Sequence, residues 1–164
     1  MHTDRAASPS RGEPRAEGPM SICGAPDIET GALDPRRAVG RPPSILIVHD
    51  ALPGLERVPL ESVDRRRPAA PHFDCRSIAE AVDAARCTRF DLVLLDPGLP
   101  DAVGMHGVRA MRDALPDAWI AVVSGLLDPR AARACLEAGA SDAVAATRLS
   151  VDALERLMAR CVRC

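Results

Sequence analysis

The sequence predicts an α/β fold: a doubly wound, five-stranded parallel sheet with helices on both faces. Three observations carry this. Short apolar runs, SILIV at 44–48, DLVLL at 91–95 and WIAVVS at 119–124, recur with helical stretches between them. The centres of those runs are apolar at every position rather than alternately, as strands covered on both faces must be. Each run also ends on polar residues, His49-Asp50, Asp96 or Ser124. Alternating strands and helices layer into an α/β domain. In open parallel sheets ligands sit outside the carboxyl ends of the strands, near the point where strand order reverses.

The elements follow in order. Residues 1–42 are rich in Pro, Gly, Arg, Ala and Ser and show no sustained period. Such a composition buries too little apolar surface to order the chain. They are read as a disordered extension, with the folded domain at 43–164 and Met20 as a second candidate start beside Met1. SILIV is the first strand. A helix is due at 51–67, made short or poor by Pro53, Gly54 and Pro59. HFDCR at 72–76 is a weak strand. Ser77-Ile78-Ala79-Glu80 is a capping box that opens a helix running to Cys87. DLVLL is the next strand. Val103 to Leu115 reads as a helix with Val108, Met111 and Leu115 on one face, stopped by Pro116. WIAVVS is the last strong strand. Asp128 caps a helix with Pro129 in its first position and Gly139 as its stop. SDAVA at 141–145 is a weak strand. Ser150 caps a final helix with Leu154, Leu157, Met158 and Cys161 on one face.

Composition excludes several function classes. The 164 residues carry a net charge of −2 and a pI near 6.1, so no field draws nucleic acid or an anionic membrane. No apolar run approaches a membrane span. The N-terminus lacks the apolar core of a secretory signal, and Asp4, Glu13 and Glu17 speak against a transit peptide. The six cysteines are therefore read as reduced thiols in a cytoplasm. Cys161 and Cys164 form a C-x-x-C without the second pair that a zinc site needs, and Cys161 is read as a packing residue. Arg65, Arg66 and Arg67 are too few charges for a nucleic-acid patch and read as a solvated loop. His106 reads as exposed, and His2 and His72 carry no argument. The chain has no Lys and no Tyr, which removes whole classes of active-site group.

ILIVHD at 45–50, LVLLDPGLPD at 92–101 followed by Gly104, VVSG at 122–125 and LEAGASD at 136–142 stand in a telling order and spacing. Over about residues 44–162 the chain resembles the receiver domain of two-component response regulators. The resemblance implies the flavodoxin-like receiver fold. It implies a domain, not a conventional enzyme, that accepts a phosphoryl group on an aspartate with Mg2+. The donor is a histidine kinase or a phosphotransfer protein. By that likeness Asp96 is the phosphoacceptor. Asp50 is the second member of an acidic pair that holds the metal, together with Asp96 and the carbonyl of Gly98. Ser124 is the switch hydroxyl and Gly125 the small residue after it. Two carboxylates and a carbonyl suit magnesium, which keeps several waters. The metal neutralises charge as phosphate passes in line onto a carboxylate oxygen.

Three positions depart from the family. His49 stands where the first acid of the pair belongs, Ala146 replaces the lysine of the fifth strand, and Ala143 replaces the aromatic switch residue. Arg148 lies two residues beyond Ala146, but its planar fork is no substitute for a compact ammonium. Losing an electrostatic stabiliser of this kind costs about 3–4 kcal/mol of transition-state energy. Catalysis is thus expected to be weakened. His49 is a poor magnesium ligand and weakens metal binding. A protonated His49 would return a cation to the site, but most of the weight falls on drift. The expectation is an atypical, stand-alone receiver, since nothing after the last helix and nothing in 1–42 forms an output domain. It would signal to a downstream protein through the 129–162 face. The alternative is a pseudo-receiver that binds partners without phosphorylation. A hydrolase, dinucleotide or corrinoid reading fails, because D-x-D, G-x-G-x-x-G and D-x-H-x-x-G are not found at the required places.

Overall fold

The computed structural model describes residues 43–50 and 71–161. The extension at 1–42, the helix expected at 51–67 and Cys164 lie outside these residues. Within them the order is β1 (Ile45–Val48), β2 (His72–Cys75), α1 (Ile78–Cys87), β3 (Leu92–Leu95), α2 (Met105–Ala114), β4 (Trp119–Ser124), α3 (Pro129–Glu137), β5 (Asp142–Ala145) and α4 (Val151–Cys161). A single turn of 3-10 helix, Ala146–Arg148, joins β5 to α4. The five strands form one sheet in the order β2-β1-β3-β4-β5, and every pair is parallel. β1 thus has β2 on one side and β3 on the other, which is the topological switch point.

All of β1 and β3 is 0% exposed, so the strands that feed the switch point are rigid core. Alternation splits their side chains between two clusters. Leu46, Val48, Val93, Leu95, Ile120 and Val122 pack with Ile78, Val108, Met111 and Cys135 of α1, α2 and α3. Ile45, Ile47, Leu92, Leu94, Ala121 and Val123 pack with Leu154, Leu157 and Met158 of α4. Burying each such aliphatic side chain is worth about 1.5–3 kcal/mol.

Caps set the helix ends. Ser77 Oγ accepts from the Glu80 N–H at 3.2 Å. The return arm differs from the reciprocal capping box, because Glu80 Oε2 accepts from the Arg76 N–H instead, at 2.8 Å. Asp128 Oδ1 accepts from the Ala131 N–H at 2.7 Å, with Pro129 in the first position of α3. Its far end is a Schellman motif. The Ala140 N–H donates to the Cys135 carbonyl, the Gly139 N–H donates to the Leu136 carbonyl, and Gly139 has φ +110°. Ser150 Oγ accepts from the Ala153 N–H at 3.2 Å. Helix α2 starts at Met105, two residues later than its apolar pattern predicts, because Gly104 at φ +70° breaks the helical path and leaves Val103 exposed.

The amino end of the sheet is stitched by polar side chains. Ser44, 1% exposed, donates its backbone N–H to Asp91 Oδ2 at 2.7 Å and its hydroxyl to the Arg89 carbonyl at 2.9 Å. Arg112 of α2 donates to the carbonyls of Gly139 (2.9 Å), Leu115 (3.4 Å), Pro116 (2.8 Å) and Ala118 (2.9 Å) and to Ser141 Oγ (3.0 Å). Desolvation lowers the pKa of this guanidinium, and Asp117 partly opposes the shift.

Candidate phosphoacceptor site

The carboxyl ends of β1, β3 and β4 lie in register. Val48 stands beside Leu95, and Leu95 beside Val122. The ladder continues one step further, with the Asp96 N–H donating to the Val48 carbonyl at 2.9 Å. Asp96 therefore leaves the sheet at the switch point, half-buried, with Asp50 two residues past β1 and exposed to solvent. Ser124 closes β4 opposite Ala145. The sheet thus brings Asp50, Asp96 and Ser124, far apart in sequence, to one edge.

The turn after β3 is tightly drawn. Asp96 Oδ1 accepts from the Gly98 N–H at 2.8 Å. A Cβ at position 98 would lie 3.1 Å from that oxygen, so glycine lets the turn approach the carboxylate. The Gly104 N–H donates to the Pro97 carbonyl at 3.0 Å, closing the loop, and Leu99 at 0% exposure anchors it in the core. Across the edge, Ser124 Oγ accepts from the Leu126 N–H at 3.3 Å. That bond occupies a lone pair and leaves the hydroxyl proton available to donate. Leu126 itself is 92% exposed.

No protein-family model matches the sequence, and no curated protein matches it. Solved structures do match. A two-component response regulator of the LuxR family from Aurantimonas sp. SI85-9A1 is 27% identical, with TM-score 0.58 over 72% of this chain and 86% of that one. A CheY-like response regulator receiver domain protein from Methanospirillum hungatei JF-1 is 22% identical, with TM-score 0.61 over 74% of this chain and 94% of that one. A response regulator from Burkholderia pseudomallei, solved with a phosphorylated aspartic acid, a calcium ion and citrate, is 20% identical with TM-score 0.58. That match covers 71% of this chain and 66% of the Burkholderia protein. The fold is that of a response regulator receiver domain.

Within this receiver fold the departures acquire positions. His49 Nε2 lies 3.7 Å from Asp74 Oδ1 on β2. This contact spans the β1–β2 pair, and β2 flanks β1 on the side opposite β3. Ala146 is 5% exposed and packs into the α4 cluster. Ala143 packs against the opposite cluster. Arg148 is exposed on the 3-10 turn.

Among the described residues no three His, Cys, Asp or Glu side chains converge as a metal-binding group. The donors at the edge are the carboxylates of Asp50 and Asp96 and the backbone of Gly98, an all-oxygen set. Such a set fits a divalent cation that keeps several of its waters. Sequence reasoning missed Asp74, whose link to His49 crosses between strands, and Asp101, which accepts from the Ala79 N–H of α1 at 3.1 Å. Neither has a local signal, because each partner belongs to another element. No helix among the described residues is long and apolar enough to cross a membrane.

Proposed function

We propose that this receiver domain accepts a phosphoryl group on Asp96 in phosphorelay signalling, slowly, and passes the state on by protein contact. The placement of Asp96 at the switch point, with one carboxylate oxygen held by the Gly98 N–H, supports this most directly. Asp96 Oδ1 is oriented by that bond, and Oδ2 has no hydrogen bond among the described residues. Oδ2 is then the oxygen that forms the new O–P bond. The P–N bond of a donor phosphohistidine breaks in the same step, and the imidazole leaves with the electron pair. Asp50, Asp96 and the Gly98 carbonyl would hold Mg2+, which when bound neutralises charge on the phosphoryl oxygens. Ser124 donates its hydroxyl proton to a phosphoryl oxygen while still accepting from Leu126.

A histidine kinase or a phosphotransfer protein is the proposed donor, in a cytoplasmic setting. A downstream protein would read the surface of α3, β5 and α4. The chain's catalysis is weakened by Ala146, which offers no cation, and by His49, which stands where the first acid of the pair belongs. Those same two observations favour a second reading, a pseudo-receiver that binds its partner without phosphorylation. Intact mass after incubation with acetyl phosphate and magnesium separates the two. The first reading expects one added phosphoryl group, absent in Asp96→Asn. No adduct at long incubation and high magnesium would leave only the second.

A further inference from the structure

We infer that Asp101 is a positioning residue, which fixes the acceptor turn by bolting it to the amino end of α1. This rests on the reading of Asp96 as the acceptor.

The turn from Pro97 to Gly104 carries the Gly98 backbone and, through the Gly98 N–H, orients the Asp96 carboxylate just before it, the two groups that the chemistry needs in fixed places. It is closed across its base by Gly104 N–H to Pro97 O and stapled to the core by Leu99. Within the loop the Ala102 N–H donates to the Leu99 carbonyl at 3.3 Å, while Gly98, Pro100 and Asp101 are exposed. Asp101 Oδ2 adds the tie to another element, accepting from the Ala79 N–H at 3.1 Å.

Ala79 lies in the first turn of α1, where backbone N–H groups have no partner within the helix. A carboxylate there also meets the positive end of the helix dipole. Ser77 satisfies Glu80 and Glu80 satisfies Arg76, both from within the same segment. Asp101 alone comes from the acceptor loop. α1 also meets α2, the helix that follows this loop, where a Cβ on Gly107 would lie 3.2 Å from Ile78 Cδ1. The loop is thus pinned to a helix packed closely on α2, and the Gly98 peptide has little freedom to turn.

Amide hydrogen exchange and phosphorylation by acetyl phosphate, read on Asp101→Ala, Asp101→Asn and Ser77→Ala, test this. Asp101→Ala is expected to speed exchange at Gly98 and Gly104 about tenfold, and to slow adduct formation by about the same factor. That is the low end of what loss of a partner behind a metal ligand costs. Asp101→Asn keeps an acceptor oxygen and should stay within about twofold of wild type, far short of that loss. Ser77→Ala removes the other cap of α1 but no loop contact, so the amides of Gly98 and Gly104 should not change.

Unchanged exchange at Gly98 and Gly104 in Asp101→Ala overturns the inference. An equal effect of Ser77→Ala overturns it as well, because fraying of α1 would then be the cause. Should Asp101→Ala not fold, Asp101→Ser is read in its place. Exchange is measured without phosphate or magnesium. A wild-type protein that takes no phosphoryl group therefore sinks the functional reading while the exchange arm still decides the positioning role.

Discussion

The two ends of the sheet are built differently. At the amino end, Arg112 holds four backbone carbonyls and the Ser141 hydroxyl, and Asp91 holds the buried Ser44. At the carboxyl end, Asp96 and Ser124 accept one hydrogen bond each, both from an N–H two residues further on. Both ends are rich in loops on one rigid scaffold. The difference teaches where lone pairs and hydroxyl protons have been left uncommitted. A satisfied polar network rigidifies, whereas loops that must accept a ligand are drawn from the less stable parts of a fold.

The largest test of this contrast is Arg112→Ala. It leaves carbonyls from two loops without this donor, at about 1–3 kcal/mol for each one buried, while the Ser141 hydroxyl keeps the Ile120 N–H. Urea unfolding should show a loss of about 3 kcal/mol or more. Arg112→Lys should recover only part, because an ammonium lacks the planar fork. A loss below about 0.5 kcal/mol, the level of an ordinary surface change, would erase the distinction between the two ends.

Asp91→Ala comes next. It orphans the backbone N–H of Ser44, and the expected loss in the same assay is about 1–3 kcal/mol. Asp96→Asn should do the opposite of both. Its side-chain oxygen still accepts from Gly98, so stability should move by less than about 0.5 kcal/mol while the phosphoacceptor is lost. A marked loss of stability in this variant would make Asp96 a structural turn residue.

The last effect appears only at alkaline pH and lies at Cys75, at the end of β2. Burial, followed by the charges of Glu80 and Asp74, pushes this thiol from its ordinary 9.0 up to about 11. The folded state then keeps its proton where the unfolded state has lost it. The contribution is fully present below pH 9.0 and is lost as pH rises toward about 11. Urea midpoints across that range should fall more steeply for wild type than for Cys75→Ala. At neutral pH an alkylating reagent should modify exposed Cys87 before buried Cys75.

The apolar runs at 45–48, 92–95 and 119–124 made the strands legible, and Ser77, Asp128 and Ser150 made three helix starts legible, because period and capping are local. The residues at the strand ends followed from the architecture. What local pattern cannot show is a bond between distant segments. Ala79 and Asp101 are 22 residues apart, Arg112 and Gly139 are 27 apart, and Ser44 and Asp91 are 47 apart. The contact of His49 with Asp74 belongs to the same class, since the two meet only once β1 and β2 are paired. The late start of α2 was hidden for another reason. An apolar period continues through Gly104 as readily as a helix does, and only the backbone angle reveals the break.

The central claim is that Asp96, and no other carboxylate at this edge, takes the phosphoryl group. The most direct measurement is to phosphorylate the protein with acetyl phosphate and magnesium, reduce the acyl phosphate with borohydride, and locate the resulting homoserine by tandem mass spectrometry. The account predicts homoserine at position 96 alone. Homoserine at position 50 or elsewhere, or none at all, would contradict it.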